Sequence, residues 1–198
     1  MNNPHTAGLI ILASSSPYRR ALLERLGLPF TCHRPDVDET PMPGESPPVL
    51  VKRLAREKAA HAGKIYPEAI VIGSDQVAVL NADILTKPGN HERARAQLQQ
   101  LSGRKVIFQT GLCVLNSTSG SFQVDAIACV VEFRKLGIAE IERYLSLERP
   151  YACAGSFKSE GLGISLLASI QGVDPTALIG LPLIRLCEML RNEGVKLP

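Results

Sequence analysis

The chain has 198 residues, 45% hydrophobic and 21% charged, enough to bury a sizeable core and too ordinary for a fibrous or disordered polymer. A net charge of +3, with Lys and Arg scattered rather than blocked, and five Phe, four Tyr and no Trp argue against nucleic acid as a partner. Five widely spaced cysteines without a C-x-x-C, an opening with no basic region, and an apolar run too short to span a bilayer predict a cytoplasmic protein with reduced thiols and no membrane partner.

That apolar run, Leu9 to Ala13, reads as a buried strand, and Ser14-Ser15-Ser16-Pro17 reads as a helix start with Ser16 as cap and Pro17 in the first turn. Leu22, Leu23 and Leu26 then share one face and Gly27 supplies the stop. Residues 1–8 are expected to be flexible. A second cap-plus-proline start, Ser46-Pro47-Pro48, leads into a helix over Val49 to Ala62 with Leu50, Leu54 and Lys58 on one stripe. Ala69 to Leu80 predicts a strand and Asn90 to Leu101 an amphipathic helix.

From Val106 two long apolar segments joined around Ser117 to Gly120 predict a hairpin. A helix over Ala139 to Leu147, a strand over Leu162 to Leu167 and a closing helix over Thr176 to Arg191 complete the expected order. The fold class is a mixed α/β sheet with flanking helices, in one domain over residues 1–198, with a change of pattern near 105 that can separate two lobes.

Three places can carry chemistry. At S-S-S-P-Y-R-R, residues 14–20, a helix N-terminus offers free N–H groups while Arg19 and Arg20 stand where the dipole disfavours cations, so an anion would justify them; the alternative is a plain surface cap. In G-S-D-Q, residues 73–76, Asp75 lies inside an apolar strand, where a carboxylate is costly unless it binds metal, serves as a base or is tightly capped. Asp38, Glu39, Lys58, Lys87, Lys158, Glu160 and Asp174 are each ordinary surface or turn residues alone. Together they can neutralise phosphates, hold a divalent ion and activate water. No P-loop, H-E-x-x-H, nucleophile elbow or dinucleotide fingerprint is present.

Six segments, I-L-A-S-S-S-P-Y-R-R (11–20), D-V-D-E-T (36–40), A-R-E-K-A (55–59), G-S-D-Q-V (73–77), K-P (87–88) and A-G-S-F-K-S-E-G (154–161), resemble the Maf family in order and over almost the whole chain. The resemblance implies a two-lobed Maf/ITPase-like architecture with a central cleft, a cytoplasmic homodimer, and hydrolysis of a nucleoside triphosphate to its monophosphate and pyrophosphate with Mg²⁺ or Mn²⁺. It makes Asp75 the proton acceptor and a metal ligand with Glu39, and sets Ser14, Arg19, Arg20, Lys58 and Lys87 around the phosphates. Tyr18, Gln76 and Glu160 resemble the trio of the YceF subgroup, which prefers 7-methyl-GTP. A cationic methylated guanine suits an aromatic face, and its donor edge suits a carboxylate. Two positions depart from the pattern: Tyr18 replaces a usual Trp, and Thr86 a usual Gly. Pyrophosphatase action on UTP, CTP or modified pyrimidine triphosphates, and a nucleotide-binding regulator of septum formation, are the competing expectations.

Overall fold

The computed structural model describes residues 8–198, so the flexibility expected of residues 1–8 lies, up to residue 7, outside the described residues. Strand and helix alternate first: β1 (Leu9–Ala13), α1 (Pro17–Glu24), β2 (Thr31–Cys32), α2 (Pro47–Ile65), β3 (Ala69–Leu80), β4 (Asp83–Leu85) and α3 (His91–Leu101). The hairpin β5 (Lys105–Asn116) and β6 (Ser121–Phe133) follows, then α4 (Ile138–Glu148), β7 (Leu167–Gly172) and α5 (Leu183–Asn192). The strands form one mixed sheet in the order β2-β1-β3-β5-β6-β7, with β4 on the far end of β3. β1 runs parallel to β2 and β3, and the remaining pairs are antiparallel. The mixed α/β expectation therefore holds, and the sheet continues across residue 105 because β5 pairs with β3 from Ile70 to Val79.

Strand β3 decides the layering through its two-residue period. Ile70, Ile72, Ala78 and Leu80 face cores filled from α1 and α5 at one end and from α3 and α4 at the other. Val71 and its neighbours Ile11, Cys113 and Leu115 face α2, which presents Ala55, Ala59 and Ala62. The small residues bring the helix close. A β-carbon on Gly73 would lie 2.1 Å from the Ala55 carbonyl oxygen, and one on Gly111 would lie 2.0 Å from that of Val51. Asp75 stands opposite Gly111 on this same face, which sets it under α2.

Two expected elements are corrected. Residues Leu162–Leu166 form a 3-10 turn rather than a strand, and the strand starts at Leu167. Gly163 is pressed where a β-carbon would meet the Lys158 carbonyl oxygen at 2.3 Å, and the Leu162 N–H donates to Glu148, so the segment folds back instead of extending. The closing helix is also broken. A 3-10 turn at Pro175–Ile179 ends at Gly180, whose φ of 117° leaves the helical region, and α5 begins only after Pro182. Asp174 holds this joint rather than a ligand: buried, it accepts from the Thr176 N–H and hydroxyl and from the Ile184 N–H. The cysteines of the described residues are free, and no helix among those residues is long and apolar enough to cross a membrane.

Candidate active site

At the carboxyl end of β1 the chain turns through Ser14–Ser16 into α1. Ser16 has extended backbone and its hydroxyl accepts from the Arg19 N–H at 3.4 Å, capping the helix as the S-P pattern predicts. Buried Ser14 accepts from the Ser16 N–H at 3.1 Å and sits 3.5 Å from Arg19 Nη1. The half-buried Arg19 is fixed by a 2.8 Å hydrogen bond from Nε to the Gly180 carbonyl. Burial pushes its guanidinium down from the ordinary arginine value, opposed by the charges of Asp75 and Glu39. Arg20 is not part of this group. It lies on the solvent side of α1 and pairs with Glu24 one turn on at 3.0 Å.

From α2, the Leu50-Leu54-Lys58 stripe turns inward, and Lys58 arrives over β3 with 7% of its side chain exposed. Its Nζ lies 2.5 Å from Glu39 Oε1 and 2.6 Å from Asp75 Oδ1. A buried ammonium between two carboxylates satisfies the charge that Asp75 would otherwise strand in the sheet. Glu39 comes from the loop between β2 and α2 and is 55% exposed. Burial works to raise its carboxyl, but the Lys58 hydrogen bond and charge, then the charges of Lys87 and Arg19, hold it below the usual range. Exposed Lys87, beyond β4, thus belongs to the same field. Asp75 Oδ2 and Glu39 Oε2 accept no hydrogen bond among the described residues.

The opposite face of β3 docks the 176–180 turn. Gln76 Nε2 donates to the carbonyls of Ala177 and Leu178 at 2.8 and 3.0 Å, and the Thr110 hydroxyl donates to Ala177 at 2.9 Å. The Ser74 hydroxyl lies 2.9 Å from the Gly180 carbonyl that also receives Arg19. The Gln76 amide nitrogen is thereby spent on this turn and on the Thr110 hydroxyl, 3.0 Å away. Sequence reasoning missed Thr110 and the 176–180 turn; a hydroxyl in the middle of an apolar strand was the available signal.

Tyr18 and Glu160 form a second, adjoining cluster. Lys158 Nζ lies 5.6 Å from the centre of the Tyr18 ring, and Glu160 is exposed two residues further on. Burial, then the neighbouring Cys153, raises the Tyr18 hydroxyl above its ordinary value, keeping it neutral. Two cavities, of about 470 Å³ beside β6 and α5 and about 620 Å³ between α2 and β6, are lined by none of these residues.

Among the described residues no group of three or more His, Cys, Asp or Glu side chains is disposed to hold a metal. Glu39 and Asp75 provide two carboxylates with one free oxygen each. That donor set suits a hard ion such as Mg²⁺ or Mn²⁺, which needs only one or two protein carboxylates when substrate phosphates complete its shell.

Residues 9–193 match the family model described as Maf-like protein. A protein of Pseudomonas syringae pv. tomato named 7-methyl-GTP pyrophosphatase is 59% identical over 189 residues, covering 96% of this chain and 98% of its own. Proteins of the same name from Polaromonas sp. and Nitrosococcus oceani are 57% and 55% identical, covering 97% and 98% of this chain and 88% and 98% of their own.

Proposed function

The chain belongs to the Maf-like protein family, and we propose that it is a nucleoside triphosphate pyrophosphatase hydrolysing 7-methyl-GTP to 7-methyl-GMP and pyrophosphate. The observation that carries the reading is the buried Lys58 ammonium shared between Glu39 and Asp75, 2.5 and 2.6 Å away, beside the Ser14–Arg19 turn. A structural ion pair needs one carboxylate. The second, with its free oxygen and a helix N-terminus nearby, supports a site for a polyphosphate and its counter-ion.

In this reading Ser14, Arg19, Lys58 and Lys87 bind phosphate oxygens, and Asp75 accepts a proton from water as water adds across the α–β anhydride. A new phosphorus–oxygen bond forms, the bond to the leaving group breaks, and pyrophosphate departs with the bonding electrons. Glu39 and Asp75 hold the divalent ion. When bound, that ion supplies neutralisation of the phosphate charge. Lys58 keeps both carboxylates in place before substrate arrives and is released toward the phosphates when it does. On the base side, Tyr18 offers a face to the cationic methylguanine and Glu160 accepts from its donor edge. The names of the relatives support this choice of base.

Pyrophosphate release from 7-methyl-GTP, GTP, UTP, CTP and TTP with Mg²⁺ or Mn²⁺, for wild type and Asp75→Ala, tests the proposal. Preferential turnover of 7-methyl-GTP that vanishes in the variant is expected. Preference for pyrimidines would overturn the base assignment, and tight binding without turnover would favour the regulator.

A further inference from the structure

Glu148 is the last residue of α4, at the end where the helix dipole disfavours a negative charge, and its side chain is only 10% exposed. Both of its oxygens are nonetheless committed. Oε1 lies 2.6 Å from Lys158 Nζ, and Oε2 accepts the Leu162 N–H at 2.6 Å. The Lys158 hydrogen bond first, then that of Leu162, holds the carboxyl below its usual range. The turn from Lys158 to Gly163 is moulded on this carboxylate, since a β-carbon on Gly161 would lie 2.4 Å from Glu148 Oε2. Lys158 is thereby fixed 5.6 Å from the Tyr18 ring centre, while among the described residues Glu160 keeps only the Ser159 hydroxyl, at 3.3 Å.

We infer that Glu148 is a positioning residue for base selection: it ties down the Lys158 ammonium so that the Glu160 carboxylate stays free for the base. This rests on the reading that Tyr18 and Glu160 meet the base. A lysine stem is flexible and its ammonium is a compact point charge. Released from Glu148, Lys158 turns to Glu160, cancels the carboxylate and leaves a repulsive charge beside a cationic base. No local pattern in the sequence marks Glu148, because its partners lie 10 and 14 residues away on a folded-back turn.

The test is Glu148→Gln, which keeps an oxygen for the Leu162 N–H but not the charge that holds Lys158, alongside Lys158→Met and the double variant. The ratio of kcat/KM for 7-methyl-GTP over GTP is expected to fall about tenfold or more in Glu148→Gln. The loss appears in KM with kcat little changed, and the double variant recovers the ratio. Equal losses for both nucleotides without recovery would overturn the proposal, as would loss of the ratio in Lys158→Met alone, which is expected to keep it. A crystal structure of Glu148→Gln without nucleotide reads the device independently of substrate: Lys158 paired with Glu160 is expected, and Lys158 unmoved would overturn the inference. The wild-type ranking of substrates by itself tests the underlying reading, so the two can fail separately.

Discussion

Replacing Gly73 with alanine puts a methyl carbon 2.1 Å from the Ala55 carbonyl oxygen and 2.9 Å from the Ala59 N. Both are backbone atoms of α2, so no side chain can swing aside. Ordinary contact begins near 3.4 Å, so the helix must retreat by about 1 Å. Lys58 lies between Ala55 and Ala59 on that helix, and its 2.6 Å bond to Asp75 cannot survive such a shift unaltered. Overpacking of this kind costs about 1–3 kcal/mol, or roughly 2–4 °C in Tm per kcal/mol for a chain of this size. Misplacement by about 1 Å at a positioned catalytic pair costs on the order of 100-fold in rate. Thermal unfolding and kcat/KM on 7-methyl-GTP, measured together at a temperature where the variant is folded, check both parts. A folded Gly73→Ala with wild-type kcat/KM would refute the link from α2 packing to the site.

Three further outcomes are expected. Arg20→Ala retains activity within about twofold because, among the described residues, Arg20 pairs only with Glu24 on the solvent side of α1, whereas Arg19→Ala loses on the order of 100-fold; steady-state kinetics decide. Titration calorimetry with Mg²⁺ alone gives no tight binding, since two carboxylates are an incomplete shell. Binding appears when a non-hydrolysable triphosphate is present and is lost in Glu39→Ala. The Arg53 hydrogen bonds, then the Met42 N–H, hold the Glu45 carboxyl down to about 2. The unfolded chain therefore binds the extra proton, and this pair's contribution is intact above the ordinary range near 4.5 and disappears as pH falls from there to about 2. Denaturant unfolding of Glu45→Gln lacks that part of the acid dependence.

The sequence was most legible where one local rule governed an element. Leu9 to Ala13, the Ser16-Pro17 start and the Leu50-Leu54-Lys58 stripe all emerge where periodicity and capping put them, and Asp75 stands out because a carboxylate in an apolar strand needs a partner. Lys58 meets Asp75 because a helical period and a strand period converge on one face, which no linear motif records. Legibility failed where tertiary contacts overrode local pattern. Leu162–Leu166 looks like a strand but is curled by a carboxylate from α4, and the run from Thr176 looks helical until Gly180 and Pro182 divide it. Gln76 belongs to the trio that resembles the YceF subgroup, and its amide nitrogen is spent on the carbonyls of a turn about a hundred residues away and on the Thr110 hydroxyl, a pairing visible only once the sheet is built.

Product analysis of 7-methyl-GTP hydrolysis by wild type and Asp75→Asn decides both the bond cleaved and the role of Asp75. The expected products are 7-methyl-GMP and pyrophosphate from wild type, with a rate lower by at least about 100-fold in the variant while its thermal unfolding remains cooperative. Release of orthophosphate and 7-methyl-GDP, or an unimpaired Asp75→Asn, would contradict the proposed reaction.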